Sequence, residues 1–168
     1  MAKFCIDANI LMTAWNTSYP IDVFPTLWES LAAFKDDIII IKPIFDEIGP
    51  LSAYRAEKDI DKLQERFALR IWLLDNNFTE TRLTEEDELL ALELEREYQV
   101  TDSKKGVGTI DIKLIAYAKN HLKTVVTLEN QPTRPKEISK CKIPTVCKDK
   151  LVSYTSFIEL IREFEISL

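Results

Sequence analysis

The sequence predicts an α/β sandwich with a mainly parallel sheet. Three short apolar segments have the length and composition of buried strands, namely 3–6, 38–41 and 124–127. Segments with apolar residues three and four positions apart, a spacing typical of amphipathic helices, lie between them. Strands that alternate with helices favour a parallel sheet covered by helices. A length of 168 residues with 46% hydrophobic content suits a single domain, 1–168, with a sizeable core.

The first half of the chain divides into two strands and several helices. Strand 3–6 ends at Asp7, and the turn-rich segment 19–25 leads into a helix of about ten residues. The isoleucine run 38–41 is the strongest strand signal in the sequence. Pro43 then opens a helix, because proline's missing N–H costs nothing in a first turn. Gly49-Pro50 ends that helix, and another follows over about 57–74.

The second half begins with Thr84, which resembles a helix N-cap, and this helix runs to about Tyr98. The glycine-containing segment 101–108 is predicted to be a mobile loop, and Thr109 to cap the next helix. That helix is expected to bury one apolar stripe, formed by Leu114, Ile115, Ala118 and Leu122. After strand 124–127 come an irregular segment, 129–142, a last strand, 143–147, and a last helix, 153–164.

Composition excludes several kinds of active site. The single histidine, His121, rules out a two-histidine acid–base site and an HExxH zinc site, and we interpret it as a solvated residue near a helix end. Three glycines are too few for a Gly-rich phosphate loop. The three cysteines form no CxxC pair, so they are expected to be buried free thiols in a reducing, cytoplasmic compartment. No signal peptide or membrane span is predicted.

Four acidic residues are placed at the carboxyl edge of the predicted sheet by independent local arguments. Asp7 and Glu129 follow strands, whereas Glu47 and Asp111 lie in the first turns of helices. Ligands of parallel sheets bind at this edge. Clustered carboxylates repel one another unless a cation joins them, and oxygen ligands favour Mg²⁺ or Mn²⁺ over zinc. Such ions activate water for phosphodiester hydrolysis.

Each acid also has a simpler interpretation. Asp7 can be a helix cap, Glu47 a solvated residue on an amphipathic helix, and Asp111 an acid that stabilises the first turn of its helix. Glu129 can be an ordinary loop residue. These alternatives are left open by the residues themselves.

Four segments around these acids resemble, in order, the motifs of PIN-domain nucleases. The segments are Phe4-Cys5-Ile6-Asp7-Ala8-Asn9-Ile10-Leu11, Ile44-Phe45-Asp46-Glu47-Ile48, Thr109-Ile110-Asp111-Ile112-Lys113-Leu114-Ile115-Ala116-Tyr117-Ala118 and Val125-Val126-Thr127-Leu128-Glu129. Segments 19–25 and 142–147 are further similar to one bacterial and archaeal branch of that family. The fourth acid is Glu where many members have Asp, and Ile110 stands where many have a small residue.

The resemblance implies a three-layer α/β/α sandwich and an Mg²⁺- or Mn²⁺-dependent endoribonuclease. Asp7, Glu47, Asp111 and Glu129 match the family's metal-binding acids, and Asn9 and Thr127 match polar residues that support the metal site. Many PIN proteins of this size are VapC-like toxins, so the resemblance also implies a small antitoxin partner and a homodimer. The alternatives are a PIN-like scaffold that binds RNA or protein without cutting, and a metal phosphohydrolase acting on small phosphoesters.

A net charge of −6 is unusual for a protein that binds RNA, since such binding normally depends on Lys and Arg. Two local basic segments, Lys104-Lys105 and 134–142, are therefore expected to border the substrate cleft, with solvated loops as the alternative. Their candidate residues are Lys104, Lys105, Arg134 and Lys136. Tyr19, Phe24 and Trp28 are candidates for a dimer interface, although burial in the core is an equally good interpretation of Phe24 and Trp28.

Overall fold

A computed structural model describes residues 2–49, 51–100 and 105–166. The elements of the first half are β1 (Phe4–Ile6), α1 (Ala8–Thr13), a π-helical turn (Ala14–Ser18), α2 (Pro25–Ala33), a 3₁₀ turn (Lys35–Asp37), β2 (Ile38–Ile41), α3 (Lys42–Ile48), α4 (Leu51–Ala56), α5 (Ile60–Arg66) and α6 (Ala68–Asp75). Those of the second half are β3 (Glu80–Thr81), α7 (Glu85–Tyr98), β4 (Gln99–Val100), β5 (Lys105–Gly106), α8 (Thr109–Asn120), β6 (Thr124–Thr127), a 3₁₀ turn (Ile138–Lys140), α9 (Ile143–Lys150), β7 (Tyr154–Ser156) and α10 (Phe157–Glu163).

Within the described part of the chain, five strands form one sheet in the order β3-β2-β1-β6-β7. Every neighbouring pair is parallel, and the central strand β1 pairs Cys5 with Ile39 on one side and Val125 on the other. Helices lie on both faces, so the protein is a three-layer α/β/α sandwich, as expected. The strands β1 and β2 are buried throughout, which explains their unbroken apolar sequence.

Local sequence signals place several helices correctly. Pro43 occupies the first turn of α3, which ends at Ile48 before Gly49. Thr84 caps α7 through a capping box with Asp87, in which each side chain accepts from the other residue's backbone N–H. The helix that it opens ends at Tyr98, as predicted.

Two predictions near the carboxyl terminus are wrong. Segment 143–147 is not a strand but the first part of α9, in which Pro144 lies in the first turn. The last strand is β7 instead, formed by the first residues of the predicted helix 153–164, and α10 begins only at Phe157. The β7 backbone pairs in parallel with β6, a partner that the local sequence does not reveal.

Three helix predictions also need correction. The helix predicted over 57–74 is two helices, α5 and α6, which meet at Phe67, a residue buried against Tyr54. The N-cap of α8 is Gly108 rather than Thr109, and no side chain makes a capping bond there. Leu122 lies beyond the end of α8 and is 92% exposed, because the chain turns away from the core before β6.

The loop predicted over 101–108 is partly a hairpin, in which β4 and β5 pair antiparallel. Residues 101–104, and with them Lys104, lie outside the described residues. Gly106 lies in β5 with a φ of 101°, and a Cβ there would lie 2.2 Å from the Tyr98 carbonyl oxygen. Only glycine fits this position.

The core contains a cluster of three tryptophans. Trp28 is fully buried, and its ring meets those of Trp15 and Trp72 edge-on, at centroid distances of 4.9 and 5.0 Å. Trp28 is therefore a core residue and not part of a dimer interface. Tyr19 and Phe24 are half-buried and pack against each other.

The three cysteines are free and buried, as predicted, although Cys147 lies in a helix rather than a strand. None of the helices in residues 2–49, 51–100 and 105–166 combines the length and apolar character needed to cross a membrane.

Candidate active site

Asp7 directly follows β1 at the carboxyl edge of the sheet. Its backbone N–H donates to the Val126 carbonyl, 3.1 Å away, which extends the pairing of β1 with β6 by one residue. Its side chain is 2% exposed and caps α1, since Oδ1 accepts from the Asn9 backbone N–H at 3.3 Å. Asp7 is therefore a helix cap, as the simpler interpretation predicted, but the capping hydrogen bond uses only one of its two carboxylate oxygens.

Glu129 reaches the same edge two residues after β6. The buried Thr127 hydroxyl accepts from the Glu129 backbone N–H at 3.1 Å and fixes the turn that follows the strand. The Glu129 carboxylate accepts from the Ile143 backbone N–H at 2.9 Å, in the first turn of α9. Glu129 is therefore held at both ends, and α9 begins beside the acids.

Asp111 and Glu47 approach from two helices. Asp111 lies in the first turn of α8, and its carboxylate contacts Gly108, where a Cβ would lie 3.3 Å from Oδ2. Glu47 lies in the last turn of α3 and not, as predicted, in its first turns, because this helix has only seven residues, and its side chain is exposed. The end of that helix is held by the buried Arg70, whose guanidinium donates to the carbonyls of Phe45 and Gly49.

Burial and the negative charge of neighbouring acids disfavour ionisation of the two aspartates. Burial raises the pKa of Asp7 to about 6, and the charges of Glu129 and Glu47 add to this rise. Burial also raises the pKa of Asp111 to about 7, with further contributions from Asp7, Glu129 and Glu47. Geometry also places these acids near one another: Asp7 and Glu129 follow the neighbouring strands β1 and β6, and Asp111 lines the same cavity as Glu129. Glu47 lies in α3, which packs against α1 and α8.

The model of a family described as "Domain of unknown function (DUF4411)" matches residues 4–168. The chain belongs to this family. The match includes all four acids of the site and the segments that resemble PIN motifs. No curated protein matches the chain.

The chemistry of the site fits a hard divalent cation. Asp7 Oδ2 is buried and has no hydrogen-bond partner within the described residues, and a cation would compensate this desolvated oxygen. Carboxylate oxygens are suitable ligands for Mg²⁺ and Mn²⁺. Across residues 2–49, 51–100 and 105–166, however, no three His, Cys, Asp or Glu side chains are arranged to hold an ion by themselves. Mg²⁺ tolerates such a site, since it commonly binds one or two carboxylates together with waters and substrate phosphates.

The remaining predicted site residues differ in their positions. Asn9 is exposed at the start of α1 and contributes its backbone N–H to Asp7. Arg134 pairs with Asp149 at 3.2 Å on an exposed surface, near the end of α9 that is remote from Glu129. Lys136 and Lys105 are exposed, with Lys105 in β5.

Five basic residues line cavities at this edge. Two of them, Lys140 and Lys142, belong to the basic segment 134–142 that was expected to border the cleft, and the other three were not predicted. Lys140 and Lys142 share a cavity of about 260 Å³ with Asp111 and Glu129. Lys42, Arg82 and Lys113 line a second cavity. Lys42 directly follows the predicted strand 38–41, and this position could have identified it, as it identified Asp7. Arg82 follows β3, a strand that the sequence did not predict.

His121 does not belong to the site. It lies just beyond α8, at the opposite end of that helix from Asp111, and its Nε2 is 3.1 Å from the carboxylate of the buried Asp87. Its ring stacks on Tyr117. The interpretation as a solvated histidine is therefore wrong, because His121 joins α7 to α8.

Proposed function

We propose that the protein is a cytoplasmic endoribonuclease of the PIN type, dependent on Mg²⁺ or Mn²⁺. One observation carries the proposal: Asp7, at the carboxyl edge of a parallel sheet, has a buried carboxylate oxygen without a hydrogen-bond partner among the described residues. Glu129, Asp111 and Glu47 lie on the elements that meet at this edge. The order of the four PIN-like segments supports it. Three buried free thiols suit a reducing compartment.

Asp7 and Asp111 are assigned to hold the ion, because they are the acids whose charge is most disfavoured by burial. Glu129 presents the carboxylate oxygen that α9 does not use, and Glu47 lies exposed on the rim, where an acid can orient a water molecule. When bound, the ion would lower the pKa of water and offset negative charge on the phosphodiester. Thr127 is a positioning residue, since it fixes the turn that carries Glu129.

The experiment is a cleavage assay on single-stranded RNA with Mg²⁺, comparing the wild type with Asp7→Asn. We expect Asp7→Asn to lose at least about a hundredfold in rate, because removing a single group that stabilises the transition state commonly costs that much. The control is Asp36→Asn, an exposed acid in the turn before β2, at the opposite edge of the sheet. It removes the same charge without touching the site and is expected to cleave normally.

Equal cleavage by the wild type and Asp7→Asn, with both proteins folded, would remove the catalytic assignment. Cleavage that persists after complete chelation of divalent ions would contradict the proposed dependence on Mg²⁺ or Mn²⁺.

The role of toxin in a toxin–antitoxin pair is the finer part of the proposal and is supported by the PIN resemblance. Its test is growth arrest on expression of the wild type but not of Asp7→Asn, with rescue by the protein encoded next to it. A homodimer is tested by the mass of the purified protein in solution.

A further inference from the structure

A second cavity, of about 680 Å³, opens at the same edge of the sheet as the acids. Three cationic side chains from separate parts of the chain line it: Lys42 at the start of α3, Arg82 directly after β3, and Lys113 in α8. Lys113 lies two residues beyond Asp111, and Lys42 lies five residues before Glu47. The elements that carry two of the acids therefore also carry two of the cations.

The sheet order fixes where this cavity lies relative to the acids. From one side of the sheet to the centre, the residues that directly follow the strands are Arg82 after β3, Lys42 after β2 and Asp7 after β1. Neighbouring strands are about 4.8 Å apart, so the backbone positions of Lys42 and Arg82 lie roughly one and two strand spacings from Asp7. The cations thus extend the site along the sheet edge rather than surrounding the acids.

The charges in this cavity are available to an anion. Lys42 pairs with Asp46 at 2.6 Å and Lys113 with Glu88 at 3.0 Å, and three of these four side chains are more than a third exposed. Such pairs contribute little free energy in water, so a phosphate can share their lysines at small cost. Arg82 is exposed and forms no ion pair with the residues that the structure describes. Its guanidinium suits two-point contact with a phosphate.

We propose that this cavity binds a backbone phosphate of single-stranded RNA while a neighbouring phosphodiester lies at the acids. The inference rests on the proposed function and specifies its substrate class: a strand long enough to span both regions, and not a small phosphoester. Asp46 and Glu88 also line the cavity, so its three cations and two acids give a net charge of +1, in a protein whose overall charge is −6. The cavity therefore offers an anion a locally positive region.

The test compares two double variants with the same net charge. Arg82→Gln with Lys113→Gln removes two charges from the cavity. Lys3→Gln with Arg162→Gln removes two from the other side of the molecule, where Lys3 precedes β1 and Arg162 lies in the last turn of α10. Each pair changes the net charge from −6 by −2 to −8. Both are made in the Asp7→Asn background, so that RNA is bound and not cut.

Binding of a fluorescein-labelled oligouridine is measured by anisotropy between about 50 and 200 mM salt. We expect the cavity variant to bind about tenfold more weakly, and its slope of log affinity against log salt to fall by about 0.7, which corresponds to one lost phosphate contact on a single strand. The affinity of the control variant is expected to stay within about twofold of that of the Asp7→Asn parent, because its lost charges act on the RNA only at long range. Urea unfolding of both variants verifies that they are folded.

Equal weakening by the two variants would overturn the inference and leave the proposed ribonuclease intact. An equally large loss of affinity for uridine monophosphate would also overturn it, since it would make the cavity part of a small-molecule site. If the parent binds no RNA and the wild type cleaves none, the proposed function itself fails, and the inference fails with it.

Discussion

The buried carboxyl of Asp7 makes the metal-free protein sensitive to pH, and Asp7→Asn isolates this effect. Asparagine keeps an oxygen that can accept from the Asn9 N–H and has nearly the same shape, but it carries no charge. Any difference in the pH dependence of stability between the two proteins therefore reports the cost of ionising Asp7 in its buried position.

The size of the effect follows from the pKa. Burial raises the pKa of Asp7 from 3.8 to about 6, so the free energy that the protonated form contributes is present below pH 3.8 and is lost as the pH rises through 6. At about 1.36 kcal/mol per pH unit, this rise amounts to about 3 kcal/mol. The charge of Asp7 also raises the pKa of Asp111, so its removal relieves part of that cost as well, which makes about 3 kcal/mol a minimum.

The assay is urea unfolding in EDTA at pH values from 3 to 8. We expect Asp7→Asn to gain at least about 3 kcal/mol on the wild type between the two ends of this range. The control is Leu114→Ala, at a fully buried position without an ionisable group. It is expected to lower the free energy of unfolding by about 2–5 kcal/mol, and by a similar amount at each pH. A difference between Asp7→Asn and the wild type that stays constant across the range would refute the electrostatic argument. Adding Mg²⁺ at pH 8 is expected to stabilise the wild type and not the variant.

Two further predictions concern residues that hold the acids in place. Arg70→Ala is expected to lower the free energy of unfolding by about 2–4 kcal/mol, because it removes the guanidinium donor from the Gly49 carbonyl and from the Phe45 carbonyl, which keeps only the Gly49 N–H. The exposed Arg55→Ala should cost less than about 1 kcal/mol in the same urea titration. Thr127→Val is expected to lower the free energy of unfolding by about 1–2 kcal/mol and to slow RNA cleavage, because it removes the hydroxyl that accepts from the Glu129 N–H. Thr127→Ser keeps this hydroxyl and is expected to keep the wild-type stability and cleavage rate. Equal behaviour of the two variants would contradict the positioning role.

Comparison of two proline-containing segments shows why one element was predicted and another was not. Pro43 was interpreted correctly as the opening of a helix, because the strand before it was already complete. Pro144 occupies the same position in α9, but the apolar and β-branched residues around it outweighed the proline in the prediction. The Ile143 N–H donates to the carboxylate of Glu129, fourteen residues earlier in the chain. This contact is invisible to a local pattern.

Site residues were predictable where they follow a strand. Asp7 and Glu129 were placed by that rule, and the structure brings them to the same region as Glu47 and Asp111. The basic residues were predicted from local density of charge, with a mixed outcome. Lys140 and Lys142 of segment 134–142 line a cavity with Asp111 and Glu129, whereas Arg134 of the same segment pairs with Asp149. The second cavity is lined by Lys42, Arg82 and Lys113, which are far apart in the sequence.

The sequence by itself determined the layers of the protein, since continuous apolar strands and amphipathic helices have few ways to bury their surfaces other than a covered parallel sheet. It also determined which acids follow those strands. Only the tertiary structure decided that β7 pairs with β6 and that the first turn of α9 donates to Glu129. It also decided that Arg82, Lys42 and Lys113 line one cavity at the sheet edge that carries Asp7. These outcomes depend on strand order and long-range pairing, and short-range sequence patterns carry no information about either.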